Sequence, residues 1–430
     1  MAIHPGTEPE DATAVAPTGE LRCPTGFRYW ETKEQPGAKR AERLLGSTFG
    51  FELFPPSSVA ERFCESLFHG DPLAEHFVDE VYENDPKAGR ALLDRALTEG
   101  LGSIENPAPS MHALFDEFET VPDWVDPELV ERGAAVWRRW GTMLFAVAGG
   151  ITLEMYTEAA VATPLSLAGG YAGDNALRRY LETSRFWIDV SEPGALLTPG
   201  SAGRATAMRV RVMHVAVRRK VDGHPEWDTA RWGYPISQGY QMLTLLGGST
   251  VPALALRLVG IHTSRSDMNA LLHFQKYMGY LLGVDISLFP ETIADSMRLN
   301  AMVVCSRSYD AGAPGRELIE SFPAAFAPRP DQRGLERLRA RYTHAMYAAY
   351  TTLFMSPATR AKHDMPSPFP GILVVVLRWP LLTVAEYVRR ASPRVSRLWE
   401  RITTRHRESW YRAQMAGREA EFNAHGGLRR

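Results

Sequence analysis

The sequence predicts an all-α protein built as a single large helical bundle, and three observations predict it. From about Gly46 to Tyr350, apolar residues recur with helical period over long segments. Strand-type alternation is rare, and no internal repeat is visible. The segments are separated by short Gly, Pro and Asp breaks, as neighbouring helices of a bundle require.

In chain order, residues 1–45 read as a flexible tail and lead-in, rich in Ala, Pro, Thr and Glu up to about Arg22. Residues 46–350 read as the helical domain, and four segments within it matter most. The first, Pro127–Trp140, follows an Asp126 cap and continues into an apolar stretch to about Val161, with a break expected at Gly149-Gly150. The second, Ala176–Val190, follows Asp174 as an N-cap and ends at Pro193-Gly194. Ala202–Val221 follows Ser201 and stops at Asp222-Gly223, and Ser266–Val284 closes at Gly283. Residues 351–430 read as an appended extension. Within it Pro370–Val388 is apolar and proline-marked, and Arg389–Arg430 carries eleven arginines against four acidic residues.

Apolar residues make up 45% and charged residues 23%, an ordinary globular composition. A net charge of −2 gives no electrostatic case for nucleic acid. The three cysteines lie far apart without a CxxC pair, which argues against zinc-ribbon and iron–sulfur sites and suits a reducing compartment. The polar N-terminus has no secretory pattern, and no apolar run is read as approaching the ~20 residues of a membrane span. A cytoplasmic location is the expectation. HExxH, GxGxxG, P-loop and GxSxG motifs are absent, so zinc-protease, nucleotide-binding and hydrolase classes start low.

What remains is histidine chemistry. Of twelve histidines, His214, His262, His273 and His344 fall in helical, apolar surroundings. His214 lies in MRVRVMHVAVRRK, with Val210, Met213 and Val217 on its face and Arg209, Arg211, Arg218 and Arg219 alongside. A haem pocket asks for this pattern: a ring nitrogen for iron, apolar neighbours for the macrocycle, guanidiniums for the propionates. A satisfied core histidine on a basic-edged helix has the same pattern, and the residues alone leave both readings open. One helix earlier, Arg179 and Thr183 form an i, i+4 pair that could meet oxygen or a substrate, or could be an exposed arginine beside a back-bonded threonine.

Together these residues resemble the mpaB-type and rubber-oxygenase (latex-clearing protein) family. VPDWVDPELVERGAAVWRRWG is similar to the family's entry helix. Arg179-x-x-x-Thr183, followed 31 residues later by His214, is similar to its active-site pattern. GYPISQGYQMLTLLGG and HFQKYMGYLLGVDISLFP resemble its later segments, and the likeness covers about Phe115 to Pro290. The resemblance implies a globin-like haem-binding core with one haem b. His214 would be the proximal iron ligand, Arg211 and Arg218 would help hold the cofactor, and Arg179 and Thr183 would lie near the oxygen side.

Two departures stand out. Rubber-cleaving members carry a lysine just before that threonine, where this chain has Glu182. They carry a glutamate, implied to act as a base, sixteen residues before the arginine; here Thr163 takes that place, with Glu154 and Glu158 nearby. Polyisoprene is therefore not the expected substrate.

The expectation is a haem-dependent oxygenase that uses dioxygen on an apolar, unsaturated molecule such as a terpenoid or lipid chain. Its pocket would be lined around Met143–Ile151 and Leu243–Leu256. A haem-binding sensor or carrier without turnover, and a haem-free scaffold of the same fold, are the alternatives. The arginine-rich C-terminus, with Trp399, Trp410 and Tyr411 interleaved, is a candidate for peripheral membrane contact or a plain solvated face.

Overall fold

Asp126 starts the helix around which the others are arranged. Its side chain accepts from the amides of Glu128 (2.9 Å) and Leu129 (3.2 Å), and Pro127 occupies the first turn. The computed structural model describes residues 22–83, 85–168 and 176–415, and no strand occurs among them.

The helices that position the site are α1 (Ser57–Ser66), α2 (Pro72–Phe77), α3 (Pro109–Glu119), α4 (Pro127–Met155) and α5 (Ala159–Leu167). They continue as α6 (Ala176–Val190), α7 (Ala202–Val221), α8 (Gln238–Leu246) and α9 (Arg265–Leu281). After them come α10 (Gly312–Ala324), α11 (Gly334–Phe354), α12 (Gly371–Ala391) and α13 (Pro393–Met415). Helix α4 is mostly apolar from Gly141 onward and packs against α9, α11 and α13.

Gly149-Gly150 does not break this helix. Both residues are helical, and their missing side chains let neighbours approach: a Cβ on Gly149 would stand 2.3 Å from Cζ of Phe322, and one on Gly150 3.0 Å from the Tyr350 carbonyl. The departure from helical geometry comes earlier, at Gly141, whose φ of 58° suits glycine.

Helices α6 and α7 have the bounds the sequence predicts, although Asp174, the expected cap of α6, lies outside the described residues. Ser201 caps α7 by accepting from the Arg204 amide at 3.2 Å. Helix α9 starts one residue earlier than predicted, with Ser264 as its cap, and ends three residues short of Val284.

Residues 1–21, expected to be a flexible tail, lie outside the described residues, and the lead-in after them is docked at its start. Tyr29 is buried, Phe27 and Trp30 pack beside it, and Cys23 is disulfide-bonded to Cys64 on α1 with their Cα atoms 5.1 Å apart. Two cysteines far apart in the sequence are thus joined. Only Cys305 is free, and cysteine usage no longer points to a reducing compartment.

Residues 371–415 are not an appendage either. Helix α13 packs on α4 and α6, burying Arg407, Tyr411 and Met415, and Trp410 stacks on Phe145 of α4. Helix α12 runs 21 residues, longer than the sequence reading allowed, and is long and apolar enough by composition to cross a membrane.

Candidate functional site

Helix α7 is held in place by arginines one heptad apart. Arg204, Arg211 and Arg218 lie on one face, are essentially inaccessible, and each meets an acid from the layer beneath. Arg204 pairs with Glu119, Arg211 with both Asp71 oxygens (2.6 and 3.0 Å) and Glu117 (2.7 Å), and Arg218 with Glu75 (2.8 Å). Arg218 also donates to the carbonyls of Pro235 and Ile236. For Arg211, burial favours the neutral form, yet its carboxylate partners outweigh that and raise its pKa.

All three nitrogens of Arg218 are hydrogen-bonded within the protein, and in Arg211 two are bonded to Asp71 while Nη1 meets Glu117 as an ion pair. The expectation that these two meet a cofactor's carboxylates is not matched by their placement: they fasten α7 to α2, to α3 and to the segment before α8. Arg209 and Arg219 are likewise paired, with Asp94 and Asp79.

His214 sits three and four residues from the second and third rungs of this ladder, on an adjacent face. Its Nδ1 lies 3.0 Å from Oε1 of Gln241 on α8. The Gln241 amide is oriented by its Nε2, which donates to the Ile236 carbonyl at 3.3 Å, so Oε1 faces the ring. An amide oxygen only accepts, which makes Nδ1 the protonated nitrogen and leaves the lone pair on Nε2. Burial lowers the imidazole pKa to about 4, and the Gln241 bond does not offset this, so the ring is neutral near pH 7. Gln241 stands in a segment that the sequence singles out by resemblance, but nothing local marks a glutamine on α8 as the partner of a histidine on α7.

The neighbouring helix, α6, packs against α7. Thr206 near the start of α7 donates to Asp189 near the end of α6 at 3.1 Å. Arg179 is partly buried and donates to Glu182 at 2.8 Å, and Arg178 reaches the other oxygen of that carboxylate at 3.0 Å. Glu182, in the place of the family's lysine, is thus buried between two guanidiniums. Thr183 lies on the exposed side of α6.

The carboxylates near Thr163 are also committed. Glu154 accepts from Arg307, Thr359 and the Ser356 amide, and Glu158 from Ser308 and the Tyr309 amide. Burial raises the pKa of Glu158. Glu158 borders a cleft with Tyr240, Met155, Leu243 and Phe27. Of the two apolar stretches expected to line a pocket, Leu243 borders this cleft, whereas Leu144, Val147, Leu246 and Leu256 are packed in the core.

The other helical histidines are structural. His273 accepts from the Asp126 amide at 2.8 Å and meets Trp124 edge-on. His344 bonds the Pro323 carbonyl, and His262 lies in the loop before α9, not in a helix as expected. No cluster of three or more His, Cys, Asp or Glu that could hold a metal ion occurs among the described residues. The donor set is one neutral imidazole with its tautomer set by a neighbouring carbonyl oxygen, which could give a cofactor's metal one protein ligand but would not hold a free ion by itself.

Comparison with known proteins agrees with this architecture. The curated Rubber oxygenase of Streptomyces sp. (strain K30) is 26% identical over 204 residues, which are 46% of this chain and 47% of that protein. The chain thus matches about half the length of this relative. The structure titled "Structure of Latex Clearing Protein LCP in the closed state" has the same fold, with a TM-score of 0.59 at 20% identity over 80% of this chain and 91% of that one. The family model described as "ER-bound oxygenase mpaB/B'/Rubber oxygenase, catalytic domain" matches residues 134–413, and the chain belongs to that family.

Proposed function

We propose that the protein is a haem b-dependent oxygenase that uses dioxygen on an apolar, unsaturated substrate of terpenoid or lipid type. The observation that carries this reading is His214, a neutral imidazole with its Nδ1 proton held by Gln241 and Nε2 left as a donor, in a chain of an oxygenase family. His214 would be the protein's ligand to the haem iron, with its other ring nitrogen held by Gln241 and its helix kept in place by the arginine ladder of α7. When bound, the haem supplies the oxygen chemistry; the protein supplies ligation, orientation and a site shielded from water.

Arg179 is assigned to the oxygen or substrate side, with its charge balanced by Glu182. Thr183, on the same helix, is assigned there with it. Because Glu154 and Glu158 both tie loops together, neither is assigned the role of a base, and polymer cleavage is not carried over from the rubber-cleaving relatives.

An absorption spectrum of the purified protein, oxidised and then dithionite-reduced, tests the cofactor. His214→Ala is expected to lose the Soret band while His273→Ala keeps it. Arg179→Ala and Thr183→Ala are expected to keep the haem and lower oxygen consumption. A full Soret band in His214→Ala would overturn the ligand assignment. Haem binding without oxygen consumption on any unsaturated lipid would favour a carrier or sensor.

A further inference from the structure

Helix α12 exposes an uninterrupted apolar stripe. Leu373, Val376, Leu377, Leu381, Val384 and Val388 recur at helical spacing along one side, each 50–72% exposed. From Leu373 to Val388 the stripe runs about 23 Å at 1.5 Å per residue. The charge near its middle, Arg378, is turned aside and donates to the Tyr342 hydroxyl of α11 at 2.8 Å. A stripe of this size fully exposed to water is unusual in a soluble protein and marks a contact surface.

The opposite side of α12 is committed to the body. Gly371 lies so close to α11 that a Cβ would stand 2.0 Å from the Ala345 carbonyl, and Val375, Glu386 and Arg389 are buried, the last two as an ion pair. Helix α12 therefore lies along the molecule with one face outward.

The adjoining helix, α13, sorts its charges by side. Its acids point inward, Glu400 to Arg138 and Glu408 to Arg185. Its outer side carries Arg394, Arg397, Arg401, Arg405 and Arg412, all exposed and none in an ion pair among the described residues. Leu398 and Ile402 are exposed between these arginines.

We infer that α12 and α13 form a docking surface for an anionic lipid bilayer. The α12 stripe enters the boundary between headgroups and acyl chains, and the α13 arginines meet the headgroup phosphates. Charge decides the occupant: a second copy on this face would bring unpaired arginine rows together, whereas anionic lipid complements them. The inference is independent of the oxygenase reading, and it gives α13, expected to be the anchor itself, the role of a basic flank.

The test is sedimentation of the full-length protein with phosphatidylcholine vesicles, with and without phosphatidylserine, at low and high salt. Wild type is expected to sediment with the anionic vesicles at low salt. The exposed double substitution Leu377→Glu/Leu381→Glu is expected to lower partitioning about tenfold or more with an unchanged melting curve. Arg394→Glu/Arg401→Glu is expected to give a loss of similar size and to remove the salt dependence. Absence of wild-type binding to anionic vesicles overturns the inference, as does binding unchanged by the leucine substitutions. A lipid-free dimer that Leu377→Glu/Leu381→Glu splits would assign the face to a second copy instead.

Discussion

At the scale of single residues, the site depends on a bond between two helices that are separate in sequence. Gln241 fixes which nitrogen of His214 bears the proton and which way the ring faces, so under the proposed haem reading it would act on the iron through His214. Gln241→Leu keeps the approximate volume and removes the acceptor. It is expected to weaken haem affinity by about 10–100-fold while the protein stays folded, as measured by titrating haem into the apoprotein. An affinity equal to wild type would show that the tautomer of His214 is set by something other than Gln241. Glu182 shows the reverse relation. Its place was legible as a departure from the family, but its role as the shared partner of Arg178 and Arg179 follows from its burial beside both.

At the scale of the element, Arg211 and Arg218 were visible in the sequence among basic residues around a histidine, which suits a cofactor with carboxylates, while Arg204, one heptad earlier, joins them only in the folded ladder. Their acidic partners lie more than 80 residues upstream, at Asp71, Glu75, Glu117 and Glu119, and local sequence contains no signal linking the two sets. The structure makes the ladder the fastening of α7. Removing one member of a buried pair leaves an uncompensated charge, so Arg211→Ala is expected to cost about 3–5 kcal/mol in urea unfolding. Arg219, paired with Asp79 at the surface, is expected to cost no more than about 1 kcal/mol on the same substitution. Equal losses for the two variants would contradict the ladder's role.

At the scale of the whole molecule, the matched family region and the packing agree that the bundle does not end near residue 350. Helix α13 contributes Glu400 to Arg138 of α4, and its Arg407 is buried against Glu192 and Ser191. Truncation from Arg389 onward removes these contacts and exposes the side of α4 that α13 covers. The truncated protein is expected to lose its cooperative melting transition or to aggregate, as followed by circular dichroism and light scattering. A soluble truncated form that melts like wild type would return α13 to the status of an appendage.

The sequence by itself determined the helical class, the bounds of α6 and α7, and the family through motifs in order between Phe115 and Pro290. These properties are local or sequential: caps, periodicity and spacing depend on neighbours a few residues apart. Tertiary structure alone decided that Gly149-Gly150 is a close approach rather than a break, and that Cys23 finds Cys64. It also decided that Arg211 and Arg218 serve the fold, that Gln241 orients His214, and that α12 turns an apolar face outward. Each of these depends on which distant residue a side chain meets after packing, and a helix's own periodicity does not specify its partners.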